Sequence, residues 1–525
     1  MSDTPTAKNY KLLIHAVLEQ QGSFSTGGNR FRERDANLDH VIAKNGEGEY
    51  TLRGTGLAGA LIATARTLYP DLPKAISEGS PQQQDKGTDD SPRMNESLWL
   101  FHHAHPLNTP EHSEIRDNVA IRQKTGAAKD GAKFDAETLP AGTQWSFLME
   151  VDQYRDVDKD DNPLNHADSI ALNTLQHWQD HGCWLGKDVA RGLGYMTLKQ
   201  INIYQLTTDH IDRWPDPSKP PCELFQGLSS MTLNEDEQTE LKKDCPPNQQ
   251  PCITTGSITI QVGQAIDGGD GYGLDMLSVG GNNGKKQEDK NPGKEIDYPE
   301  VMQGKAFLKQ HKDKLITPLS QTWDDYLKFA DNNTKDIDFN IAVTRQNDTY
   351  VPHIPGSAMR GPLRHSLSWL LRKQDNPVWE PAGENEHPAS GEEDIVLKLY
   401  GSTQRSTSLL ISDALPVDDD WLMLVLEMHA EDEFTQGVYC SSKFDRTCLT
   451  KGTFKAHFEL QANNEEELIA MTTELEKLQT LGKNQFIPIG GGQWKGLGWV
   501  KLTIEFAHAE AETDTRDETA AGAVA

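Results

Sequence analysis

Two loops in this chain set glycine beside a cation in an arrangement suited to phosphate. They are Gly186-Lys187-Asp188-Val189-Ala190-Arg191-Gly192-Leu193-Gly194-Tyr195 and Gly490-Gly491-Gly492-Gln493-Trp494-Lys495-Gly496-Leu497-Gly498-Trp499. Glycine tolerates positive φ and close backbone approach. The amides around Gly192, Gly194, Gly496 and Gly498 are therefore expected to donate to phosphate oxygens, with Lys187, Arg191 and Lys495 supplying charge. Two further turns, at Gly54-Thr55 and Gly356-Ser357, each open a helical apolar pattern, and a helix N-terminus favours anions. Arg360 and Arg364 follow the second turn, and a stretch with Gly22, Gly27 and Gly28 runs into Arg30, Arg32 and Arg34. None of these has the GxGxxG spacing of a dinucleotide fingerprint.

Other chemistry-bearing residues signal less. His102, His103 and His105 (HHAHP) read as an exposed loop rather than a metal site. Asp156, Asp158 and Asp160 imitate the start of a calcium loop, but Asp161 and Ala167 stand where glycine and glutamate are required. The six cysteines include no CxxC pair; Cys222, Cys245 and Cys252 share one stretch and read as reduced, unrelated thiols rather than zinc ligands. His15 is the histidine best placed on a predicted strand for general acid–base work.

The glycine patterns recur. Leu52–Leu61 is echoed by Ile354–Leu363, KFDxxxLxxGT occurs at Lys133–Thr143 and Lys443–Thr453, and Gly186–Tyr195 returns as Gly490–Trp499, at offsets of 302, 310 and 304 residues. Three repeats in one order imply an internal duplication. The first copy spans 9–206, a Pro-, Asp- and Lys-rich linker 207–252, and the second copy 253–507 with an insertion at about 268–336; an acidic tail at 508–525 is expected to be disordered. Each copy reads strand, helix, strands, helix, strand. That order predicts an α+β class, two tandem ferredoxin-like (RRM-like) domains, and such sheets commonly serve as platforms for single-stranded RNA.

A net charge of −29 over 525 residues opposes nucleic-acid binding, which rests on cations neutralising phosphates. The acid is unevenly spread, however: it concentrates at 152–161, 384–394, 418–420, 465–467 and the tail, while the glycine loops carry arginine and lysine. A basic groove on an acidic body is the expected arrangement. No apolar run reaches the roughly 20 residues of a membrane span, and the N-terminal residues carry no apolar signal core. A cytoplasmic location without membrane contact is expected.

These motifs resemble one family. IPGSAMRGPLRHSL (354–367) is similar to the IPGSSLRGxLR segment of the RAMP superfamily, the repeat-associated mysterious proteins of CRISPR systems. Residues 116–145 resemble that family's thumb and following strand, LYGSTQRSTSLLISDA (399–414) its LFG…DA segment, and GGGQWKGLGW its C-terminal glycine loop. Thumb and LFG…DA together resemble the backbone branch of type III effectors. Two copies in one polypeptide resemble the double backbone subunit of type III-D-like complexes.

The resemblance implies a guide-RNA-binding subunit that cleaves complementary target RNA with Mg²⁺ or another divalent metal. It also implies a large signalling subunit and other backbone and small subunits as neighbours. Family members cut with an aspartate on the loop before the IPGS turn, which carries over to Asp39, 15 residues before Gly54, and Asp338, 18 before Gly356. One carboxylate per site suffices for such an ion, which commonly keeps several waters. The resemblance further implies RNA contacts from Gly27, Gly28 and Arg30, and from Lys133, Phe134, Lys443 and Phe444 at the thumbs. There the phenylalanines either wedge between bases or pack in the core. Two alternatives remain, a structural subunit that cuts nothing and a precursor-RNA processing endonuclease built on His15.

Overall fold

The computed structural model of the chain describes residues 8–27, 40–78, 96–108, 113–121, 128–158, 162–215, 228–248, 252–263, 276–280, 305–316, 337, 339–346, 349–376, 378–379, 393–402, 405–431 and 438–507. Gly28, Arg30, Asp39, Asp338 and Cys222 lie outside these residues, as do the side chains of Lys133, Phe134 and Lys443.

The first half contains β1 (Asn9–Gln20), α1 (Gly54–Leu68), β2 (Trp99–Phe101), β3 (Glu114–Ile121), β4 (Ala128–Thr138), β5 (Gln144–Asp152), α2 (Ala167–His181) and β6 (Tyr195–Thr207). Its sheet runs β2-β5-β1-β6, all antiparallel, the ferredoxin-like order with the first strand central. After α3 (Glu235–Lys243) in the linker, the second half repeats the pattern. It has β7 (Ile253–Val262), β8 (Val343–Gln346), α4 (Gly356–Lys373), β9 (Leu409–Ile411), β10 (Leu422–Glu431), β11 (Val438–Gln461), α5 (Glu465–Lys483) and β12 (Lys501–Phe506). Its sheet runs β9-β11-β7-β12. The expected α+β class and tandem ferredoxin-like domains are observed.

Alternation explains each layer. On β1, Leu12, Ile14, Ala16 and Leu18 face the helices and join Leu57, Leu61, Ala65 and Leu175 in one buried core. On β7, Ile258, Ile260 and Val262 do the same with Met359, Leu363, Leu367 and Leu475. Each turn that opens α1 and α4 needs glycine: a Cβ on Gly54 would lie 2.4 Å from the Phe101 carbonyl, and one on Gly356 2.4 Å from that of Ile411. Helix α5 starts because Asn464 accepts the Glu467 amide while three glutamates occupy the first turn, where the dipole favours them. The thumb hairpins are β3 with β4 and β10 with the outer part of β11.

The described parts of the linker, 207–215 and 228–248, form a strap on the first half. Trp214, Leu228 and Met231 pack on Leu13, Leu148, Tyr204 and Leu206, the sheet face of the first half away from its helices. Helix α3 lies on α2, where Ser169 Oγ and Asn173 Nδ2 donate to the carbonyls of Lys242 and Cys245.

The halves join around one buried carboxylate. Arg116, from the first thumb, donates through Nη1 and Nη2 to both oxygens of Asp413 (3.3 and 2.5 Å). The Gly356 amide donates to the same carboxylate at 2.8 Å, and the Asp413 amide donates to the Gly192 carbonyl. Burial holds the His353 imidazole down to about 4, against the pull of Asp413 and with help from Arg116. The neutral ring accepts from Arg116 Nη2 at 2.8 Å. Alongside, Glu114 receives the Arg345 amide and the Thr344 hydroxyl. Burial pushes the Glu114 carboxyl up to about 7 despite those donors, and raises Glu459, also at this junction, to about 7.

Two outcomes follow. Removing one member of a buried ion pair strands the other, so Arg116→Ala is expected to cost about 3–5 kcal/mol in denaturant unfolding. Glu114 and Glu459 bind protons more tightly folded than unfolded, so their stabilising effect is lost as pH rises through about 7. The thermal midpoint should therefore fall between about pH 4.5 and 7, and Glu114→Gln with Glu459→Gln should flatten that fall.

Candidate nucleic-acid interface

The residues following both candidate aspartates stand at the same point of their thumbs. His40 bridges Ala136 in parallel, and its carbonyl accepts the Glu137 amide at 2.9 Å. Phe339 bridges Arg446 in parallel, accepting from the Thr447 amide and donating to the Asp445 carbonyl, both at 3.0 Å. Ala136 and Arg446 are 310 residues apart, the offset of the KFD repeat. Lys187 Nζ lies 2.7 Å from His40 Nδ1, which brings a predicted basic residue beside the first of these points.

At the second point the side chains form an aromatic and cationic cluster. Phe339 and Phe444 meet edge to face at 5.5 Å, Arg446 lies 4.2 Å over Phe339, and Lys495 Nζ lies 4.0 Å over Phe444. Arg446 Nη1 donates to Ser278 Oγ at 3.0 Å, and burial lowers its pKa. Next to Lys495, Trp494 is 96% exposed. A solvent-facing indole beside rings that carry cations suits stacking of an unpaired base with its phosphate nearby. Phe444 belongs to this half-exposed cluster rather than to the core. Phe339, Arg446 and Trp494 were missed from sequence because only tertiary pairing brings 339 to 446; the exposed Trp494 lay inside a recognised loop.

A second concentration of charge lies at the junction of the halves. Burial lowers the Arg360 pKa, and the neighbouring charges of Arg364 and Arg191 lower it further. Arg191, on the glycine loop of the first half, thus lies close enough to Arg360 of the second to act on its charge. Arg360 itself turns inward and donates to the Tyr400 carbonyl, a different placement from the surface role its sequence position suggested.

The expectation of free glycine amides is corrected. The amides of Gly192, Gly194, Gly496 and Gly498 donate to the carbonyls of Val189, Ser23, Gln493 and Met276. Gly54 donates to His103 Nδ1 at 2.9 Å and Gly356 to Asp413. These glycines make turns and close contacts: the α carbon of Gly356 lies 2.8 Å from where a Gly192 Cβ would sit. Thr55 and Ser357, both exposed, and Gly27, which bridges Ile42, complete the predicted set within the described residues. The sheets are no open platform either, since the strap covers one and the first half packs on the other.

His103 and His102, read as a loop, have defined partners, His102 Nε2 lying 2.8 Å from Glu150 Oε1. His15 Nε2 lies 2.8 Å from Ser146 Oγ, with its pKa lowered by burial. Asp156 accepts the amides of Asn165 and Ala167 at the start of α2, a structural role. Among the described residues no group of three His, Cys, Asp or Glu side chains could hold a metal, and no helix is long and apolar enough to cross a membrane.

The sequence matches the family model of the RAMP superfamily over residues 22–197 and 279–501, one stretch in each half. No curated protein matches the chain.

Loss of one stacked base costs about 1–3 kcal/mol. Trp494→Ala and Phe444→Ala are each expected to weaken single-stranded RNA binding, read by fluorescence anisotropy, by at least ~5-fold, consistent with that range. Lys495→Ala should lower the salt slope of binding by about one.

Proposed function

The chain belongs to the RAMP superfamily, whose members bind RNA in multi-subunit CRISPR complexes, and on that premise we propose that it is a double backbone subunit of a type III effector. Each half holds a stretch of guide RNA along its thumb and cleaves the paired target RNA at Asp39 and Asp338. The large signalling subunit and further backbone and small subunits are its neighbours. One observation supports cleavage in both halves: His40 and Phe339, each directly after an aspartate, pair with equivalent thumb residues. A thumb that separates consecutive bases would leave a ribose splayed beside that point.

There an aspartate carboxylate can orient the 2′-hydroxyl toward the adjacent phosphate and receive its proton. Bound Mg²⁺ would supply neutralisation of charge developing on the phosphate oxygens. The chain's own part is to fix the strand: Lys187 beside His40 in the first half, and Arg446 and Lys495 over their rings in the second.

The test uses the assembled complex with its guide, complementary RNA and Mg²⁺. Asp39→Ala and Asp338→Ala should each remove one cut, by at least ~100-fold in rate for a group that acts in proton transfer, while target binding persists. Unchanged fragments from the double variant would reject the aspartate assignment and leave the purely structural subunit. Precursor cleavage abolished by His15→Ala would instead select the processing endonuclease.

A further inference from the structure

The contact between the halves is heterologous: the first presents one surface and the second receives it with another. Such contacts leave the unlike surfaces at the two ends available to further copies. The second half receives on the face of its sheet away from the helices. Thr255 Oγ1 lies 3.3 Å from His181 Nδ1, His457 stacks on Tyr195 with centroids 4.9 Å apart, and Glu459 accepts a hydrogen bond from Trp184.

Strand pairing identifies the same face on the first half. Phe101 and Ile14 pair with Met149 as Ile411 and Gly256 pair with Phe458. Leu13 then stands for Thr255, Leu148 for His457, and Glu150 for Glu459. In the first half this face is occupied by the strap: Trp214, Leu228 and Met231 bury Leu13 and Leu148, and Trp214 Nε1 donates to Glu150 Oε1 at 3.3 Å. An indole from outside the sheet thus meets the corresponding glutamate in both halves, Trp184 in one and Trp214 in the other.

We propose that the strap is a terminating cap, filling on the first half the surface on which the second half accepts a neighbouring domain. This chain therefore docks no further domain of its own fold on that face, and any neighbour in this mode adds only beyond the second half. The surroundings agree. His103 stands where Asp413 receives Arg116, both capping a helix glycine, and the thumb residue 310 positions after Arg116 is Leu426. A second copy of the chain meets neither an open face nor a matching ion pair.

The full chain tests this by sedimentation velocity across a wide concentration range. His103→Asp with Leu426→Arg transplants the ion pair; with the strap intact the protein should remain a monomer. Adding Trp214→Ala and Met231→Ala opens the face, and the average mass should then rise with concentration past twice the monomer. Association of the ion-pair variant with an intact strap overturns the cap. So does a monomeric opened variant that keeps native circular dichroism and cooperative unfolding. Should that variant misfold, Trp214→Phe with Leu228→Ala is the milder opening and is scored in the same way. In the wild type, the amides of Met231 and Leu233, which donate to Leu228 and Ile203, should exchange far more slowly than free peptide; free-peptide rates also overturn the cap.

Discussion

The carboxylate of Asp413 organises the joint between the two halves. It faces Arg116 from one side and the first amide of α4 from the other. A charge buried to this degree is costly unless fully partnered, and here its partners come from both copies. The arrangement fixes three things together: where the first thumb leaves its domain, where α4 begins, and how near the Gly192 loop approaches. Replacing glycine at 192 or 356 would separate these surfaces, since each lacks a Cβ where the other's backbone lies. The ion pair fixes the relative orientation of the groups it joins, since both its oxygens are engaged by Arg116 and one also by the Gly356 amide.

That joint also limits how much of each sheet stays open. In a ferredoxin-like sheet the face away from the helices is the usual platform for single strands, but in this chain protein covers both such faces. Within an overall charge of −29, Arg191 and Arg360 lie near each other where the halves meet, and Arg446 and Lys495 stand over rings at the second thumb.

Much of this was legible in the sequence because duplication preserves spacing. Both first strands, both glycine-opened helices and the final strands lie where the repeats put them, and α5 was delimited by its run of glutamates. The strap was not legible: Trp214, Leu228 and Met231 are scattered among prolines and charges, without a period. A fourth repeat also escaped notice. WLFHHAHP and LLISDALP occupy the same place in each sheet, but only their bridges, Leu52 to Ala104 and Ile354 to Ala414, reveal it. Had that pair been seen, His103 would have been read as a counterpart of Asp413. The glycine amides expected to donate to phosphate are instead engaged by carbonyls, some from distant segments, which cannot be read from composition. Where each aspartate side chain points is likewise a matter of tertiary placement.

The two thumbs differ in mechanical continuity. In the second half β11 runs unbroken for 24 residues from the thumb into the sheet beside β7. The first half divides the same length into β4 and β5, with a turn in which Gly142 has a φ of 85°. Deflecting the second hairpin therefore bends a ladder shared with its core, so force at its tip is felt as a lever throughout that domain. The first hairpin lacks that shared ladder and is braced at its base by the other half, where Arg116 meets Asp413 and Glu114 receives the Arg345 amide. One polypeptide thereby carries two fingers braced differently, one by its own sheet and one by the other half.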